Sequence, residues 1–130
     1  MLKKSILIFT LAFFLNWAWE ILHSALYLNY QGGSISGFIL FRAALADAVI
    51  ILILVFAAQN LKLNKALFVV FVGLVIAVAI EIWALQTGRW AYNSLMPIIP
   101  IIKTGLTPTA QLAVTGYIVQ EIIFRMKAKA

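Results

Sequence analysis

Apolar residues fill four long runs in this chain, roughly Ser5 to Leu28, Phe38 to Gln59, Ala66 to Gln86 and Thr109 to Phe124, parted by short stretches where Gly, Asn, Lys and Pro collect. At about 1.5 Å of rise per residue, the first three runs cross a ~30 Å hydrocarbon core as helices and the fourth barely does. Ahead of the fourth, "MPIIPII" (Met96 to Ile102) is apolar, but Pro97 and Pro100 keep it from being a regular helix, which predicts an interfacial or re-entrant segment. Thr107 is expected to cap the last helix with Pro108 at its first position, and Gln111 reads as a further cap. Residues 1–130 therefore read as one all-α domain, an integral membrane bundle of four transmembrane helices.

Composition agrees, with 65% hydrophobic and 11% charged residues, far from a soluble average. The absence of cysteine excludes disulfides, thiolate catalysis and zinc-thiolate or iron–sulfur sites. The formal charge of +6 does not indicate nucleic-acid binding, because the basic residues sit at the ends of apolar runs and form no patch. Lys3, Lys4, Lys62, Lys65, Arg125, Lys127 and Lys129 fall on one side of a four-span arrangement and only Arg42, Arg89 and Lys103 on the other. The positive-inside rule then places both termini in the cytoplasm. Lys3 and Lys4 before an apolar run imitate a signal peptide cleaved after Ala18, but Asn16 and the continuation to Leu28 favour a retained span.

That topology puts the polar residues at one depth. Glu20 and His23 lie in the outer half of helix 1, Arg42 and Asp47 in the outer half of helix 2, and Glu81 in the outer half of helix 3, beneath the loop that carries Arg89. Asn16, Glu20, His23 and Tyr27 are spaced i, i+4, i+7, i+11 and share one helix face. Helix 3 offers Gly73, Ala77, Glu81, Ala84 and Gly88 at similar spacing, and Ala43, Ala44, Ala46 and Ala48 surround Asp47; such small residues let helices approach closely. An ionised acid at the bilayer centre costs something like 2.5 to 3.5 kcal/mol, so pairing with Arg42 and Arg89, a water-filled pocket, or proton uptake must offset it.

Several chemistries compete for this layer. An acid cluster bridged by Arg42 can simply fix helix register, and Glu121 with Arg125 at i+4 reads as an interfacial ion pair. Trp17, Trp19, Trp83, Trp90 and Tyr92 suit an interfacial belt or core packing. Glu20-x-x-His23 has the spacing of di-iron bundles, but a single histidine cannot complete a dinuclear centre; a mononuclear site from Glu20, His23, Asp47 and Glu81 is the weaker alternative, and no metal or cofactor is expected. Acid–base catalysis fits best, with Glu20, Asp47 and Glu81 as catalytic groups and Asn16, His23, Arg42, Arg89, Trp90 and Tyr92 binding a lipid-soluble substrate such as an isoprenoid, quinone or lipid. Two alternatives stand beside it. One is a non-enzymatic subunit or assembly factor docking through the small-residue face of helix 3, and the other is a small proton-coupled transporter. A chain of this size can also dimerise to complete a pocket.

"NWAWE", "ALADAVI" and "TGRWAYNSLMPIIPIIKTGLTPTAQ" together resemble a family of small, uncharacterised bacterial four-span inner-membrane proteins, and the likeness covers nearly the whole chain. It implies a multi-pass location in the bacterial inner membrane. More loosely, "NWAWE" followed one helix later by Asp47 is similar to the opening of fungal transmembrane terpene cyclases, and "GRWAY" before prolines is similar to small lycopene cyclase domains. The first likeness implies Glu20 as the acid that starts a cyclisation with Asp47 as helper, and the second puts Trp90 and Tyr92 in the pocket. The terpene cyclases are longer, and the lycopene cyclase domains carry paired glutamates where this chain has "TPTAQ".

Overall fold

The computed structural model describes residues 1–130 as four helices, α1 (Leu2–His23), α2 (Gly37–Gln59), α3 (Lys65–Gln86) and α4 (Leu106–Lys129), with two short strands, β1 (Tyr27–Tyr30) and β2 (Trp90–Tyr92). The first three helices are long and apolar enough to cross a membrane. Local chemistry sets two of the starts. The Ser36 side chain accepts a hydrogen bond from the Ile39 amide at 3.3 Å, and Asn64 accepts one from Leu67 at 3.0 Å, each satisfying an orphan donor of the first turn.

The helices pack around one core that takes Ile8 and Ala12 from α1, Ala48, Ile51 and Val55 from α2, Ala77 from α3, and Leu112, Val119 and Ile123 from α4. α4 carries Thr, Gln, Glu and Arg and is too polar to count as a span by composition, yet it is the most enclosed helix, with ten buried residues against four, six and five in α1, α2 and α3. The relation is physical: Phe14, Leu22, Ile53 and Phe71 on the outer faces can meet hydrocarbon, whereas polar side chains must be where other protein groups satisfy them. The small-residue face of α3 is used here. A Cβ on Gly73 would stand 3.2 Å from the Ala113 nitrogen, and one on Gly116 would stand 2.8 Å from a Val69 methyl. The face proposed from sequence as a docking surface is thus covered by α4.

Three expectations need correction. α1 ends at His23 rather than Leu28, because a 3-10 turn (Ser24–Leu26) releases Tyr27–Tyr30 to pair antiparallel with Trp90–Tyr92. A two-residue turn with Gln31 at φ 50° and Gly32 at φ 78°, closed by reciprocal 3.0 Å bonds between Tyr30 and Gly33, then leads toward α2; positive φ at both centres is the type I′ signature. α4 begins at Leu106 with Gly105 as its N-cap and no side-chain cap, so neither Thr107 nor Gln111 caps it, and Pro108 lies inside the first turn, where no N–H is required. Glu121 and Arg125 do not pair: no lysine or arginine forms a salt bridge in the chain, and the one basic side chain against a carboxyl is His23, hydrogen-bonded to Glu20. Residues 96–102 form turns, with Met96 buried, Ile101 exposed and an Ile98–Gly105 bridge leading into α4.

Candidate active site

Glu20, Asp47 and Glu81 come from three different helices and line one cavity of about 280 Å³. Its walls are Ile39, Leu40, Ala43, Ala46 and Ile50 of α2 and Ala77 and Ile80 of α3; Tyr27, Asn29, Tyr30 and Trp90 of the strand pair lie at one end, with Gln111 and Leu112 of α4 on the remaining side. Twelve of the twenty lining residues are hydrophobic, so the acids stand in an apolar enclosure, and Ala46 on the α2 wall is exposed to the outside.

Gln111 is the centre of the polar network. Its Nε2 lies 2.9 Å from Glu20 Oε1, 2.9 Å from Asp47 Oδ2 and 3.1 Å from Asn16 Oδ1, joining α4 to α1 and α2. An amide nitrogen has two hydrogens, so three acceptors share two donors. Asn16, fully buried, is anchored by donating to the Ala12 carbonyl at 2.8 Å and also receives Thr115 Oγ1 at 3.3 Å. Glu20 Oε2 faces His23 Nε2 at 3.1 Å, and His23 Nδ1 faces Thr107 Oγ1 at 3.1 Å. The same threonine lies 3.4 Å from Met96 Sδ, so its single hydroxyl hydrogen goes either to that sulfur or to the imidazole, and the choice fixes the histidine tautomer. Trp19 Nε1 donates to the Thr107 carbonyl at 3.1 Å and ties α1 to the start of α4 a second time.

Glu81 is held separately. Trp90 Nε1 donates to its Oε2 at 3.1 Å, and the Tyr92 hydroxyl donates to the same oxygen in a short bond while accepting the Gly105 amide at 3.0 Å. Both donors use Oε2, which leaves Oε1 without a protein partner in a residue that lines the cavity. Burial, together with the bond to Glu81, raises the Tyr92 phenol above its ordinary value. Tyr27 stands edge-on to His23, Trp90 and Tyr92, with ring centroids at 5.2, 6.3 and 5.4 Å. Burial first, and then the nearby Glu81, Tyr92, Glu20 and Asp47, push its phenol far above the usual range, so it stays a neutral O–H donor at any working pH.

The expected residues divide into those that face the cavity and those behind it. Glu20, Arg42, Asp47, Glu81 and Trp90 line it, whereas Asn16, His23 and Tyr92 hold the lining residues in place. The two arginines do not neutralise the acids. Arg42 is exposed with its guanidinium 5.9 Å from the Phe38 ring, and Arg89 lies 5.0 Å from the Trp83 ring and donates to the Tyr30 hydroxyl at 3.2 Å. The carboxyls are instead hydrogen-bonded by neutral donors and one imidazole. No three of the chain's His, Asp and Glu side chains converge as a metal-ligand set. Gln111, Thr107 and Tyr27 stand outside the sequence-derived site; only Tyr27 carries a signal, as the last member of the helix 1 polar stripe. No protein-family model, curated protein or solved structure matches this chain.

Proposed function

We propose that this chain is a small multi-pass membrane enzyme that performs acid–base chemistry, a cyclisation or isomerisation, on a lipid-soluble substrate. The observation that carries the reading is the convergence of three carboxyls from three helices on one mostly apolar cavity, with no arginine or lysine paired to any of them. Carboxyls are costly in such a place and are retained where protons move. Gln111 bridges Glu20 and Asp47, and a proton held by two neighbouring carboxyls leaves one as donor and the other as acceptor. Glu20, backed by His23 and Thr107, serves as the acid. Asp47, or Glu81 through its unpartnered Oε1, serves as the base.

In this reading α4 is a fourth span sheltered by the other three, both termini are cytoplasmic, and the cavity lies in the outer leaflet of a bacterial inner membrane. Segregation of Lys3, Lys4, Lys62, Lys65, Arg125, Lys127 and Lys129 to one side supports that orientation. The docking-subunit alternative loses its main support, because α4 already covers the small-residue face of α3.

The test is untargeted mass spectrometry of lipid extracts from cells lacking the protein, complemented with wild type or with Glu20→Gln at equal membrane levels. A species that appears with wild type and is missing with Glu20→Gln is the expected result and names the substrate class. Identical profiles in all three strains would overturn the enzymatic reading.

A further inference from the structure

The Tyr27 hydroxyl has no hydrogen-bond partner in the protein, although Tyr27 lines the cavity beside all three carboxyls. Most polar groups around it are already engaged, the Tyr30 hydroxyl as acceptor from Arg89. Trp90 and Tyr92 both give their hydrogens to Glu81, and the Gln111 amide is shared among three acceptors. The Tyr27 ring is fixed by edge contacts to His23, Trp90 and Tyr92, so the hydroxyl cannot swing away to find an acceptor without breaking aromatic packing. A donor that faces a mostly apolar cavity without a protein partner favours a ligand that brings an acceptor.

The charge balance narrows that acceptor. Three carboxyls line the cavity against a single cation, Arg42, whose guanidinium is exposed and set against the Phe38 ring, so the balance opposes an anionic group on the ligand beside Tyr27. A plain hydrocarbon would leave the hydroxyl unsatisfied. Resting on the reading of this cavity as a substrate site, we infer that its ligand carries a neutral oxygen, as in a ketone, quinone or epoxide, that accepts a hydrogen bond from Tyr27 beside the Glu20–Asp47 pair. Tyr27 is then a catalytic residue, polarising the substrate oxygen while the carboxyls handle the proton.

Purified protein in detergent, titrated with a long-chain methyl ketone and with the alkane of the same length, tests this through the change in tryptophan fluorescence, read in a variant in which Trp17, Trp19 and Trp83 are replaced by Phe so that only Trp90, which lines the cavity, emits. The ketone is expected to bind this variant about tenfold more tightly than the alkane, as one added hydrogen bond implies. Tyr27→Phe, which keeps the ring and its packing, should erase that preference, and Tyr117→Phe, exposed on α4 and away from the cavity, should keep it. Equal responses to the two probes, no response to either, or a preference that survives Tyr27→Phe would overturn the inference. Binding needs no turnover, so this outcome is independent of the Glu20→Gln lipid comparison, and either reading can fail alone.

Discussion

Gln111 Nε2 lies 2.9 Å from Asp47 Oδ2 and draws a carboxyl of α2 toward the second turn of α4. The same nitrogen reaches Glu20 and Asn16 on α1, so one amide links three helices at the level of the cavity. Replacing Gln111 with Leu keeps most of the volume and removes every one of these bonds. The expected loss is about 1–3 kcal/mol for each buried acceptor left without a donor, moderated where water enters the cavity. Thermal unfolding of the purified variant in detergent measures it, and an unchanged midpoint would show that the amide is not what holds the acids.

Gly73 makes the second prediction. A Cβ there would meet the Ala113 nitrogen and the Leu112 carbonyl carbon at 3.2 Å, and a backbone cannot swing aside as a side chain can. Gly73→Ala should destabilise the α3–α4 contact by ~1–3 kcal/mol, and Gly73→Leu should prevent accumulation in the membrane. A Cβ on Gly37, at the start of α2, would meet nothing within 4 Å, so Gly37→Ala is the matched control and should change stability by no more than about 0.5 kcal/mol.

Alkaline pH should weaken the fold. Tyr27 and Tyr92 both have phenols raised above the ordinary value of 10.0, so between that value and their own the folded state holds protons that the unfolded state has released. More protons bound when folded means stability falls as pH rises, with full stability retained below about pH 10. Tyr27→Phe should flatten the decline. Unfolding midpoints taken on either side of that pH test the point, and a slope unaffected by Tyr27→Phe would count against it.

Thr107 supports His23, and through it Glu20, without lining the cavity. It is a positioning residue in the proposed chemistry. Thr107→Val should lower product formation about tenfold, the worth of one hydrogen bond to a polar partner, and Thr107→Ser should restore it. A purely structural role would move protein levels in both variants and leave the rate per molecule unchanged.

Much of this architecture is readable in the residue pattern, and what escapes does so for physical reasons. The three apolar runs announce α1, α2 and α3 because nothing else in a chain of this composition is long and apolar enough to cross a membrane. The common depth of Glu20, Asp47 and Glu81 follows from helix rise alone, and all three do line one cavity. The strands are another matter. β2 is only Trp90–Tyr92, its partner lies sixty or more positions earlier, and no local periodicity marks a pairing that short and that distant. Gln111 reads locally as a cap because a glutamine near a helix start has that ordinary use; its actual partners belong to other helices. Charge alone predicts that Arg42 and Arg89 pair with the acids, but both side chains find aromatic rings instead.

The strand pair has a mechanical consequence. β1 continues from α1 and β2 from α3, their pairing is reinforced where the Asn93 amide and side chain donate to the Leu26 and Ala25 carbonyls, and Tyr92 and Trp19 fasten the entrance of α4 to the same corner. Three posts are thus braced by one crossbar. α2 takes no part in the strand pair; it is tied to α4 through Asp47 and Gln111 here and through Gln59 and Gln120 at its C-terminal end, and it packs on the shared core and on α1 by contacts such as Phe13 with Phe41. The spacing between Glu20 and Asp47 is therefore governed by side-chain packing and the Gln111 bridge, whereas the spacing between Glu20 and Glu81 is governed by the crossbar.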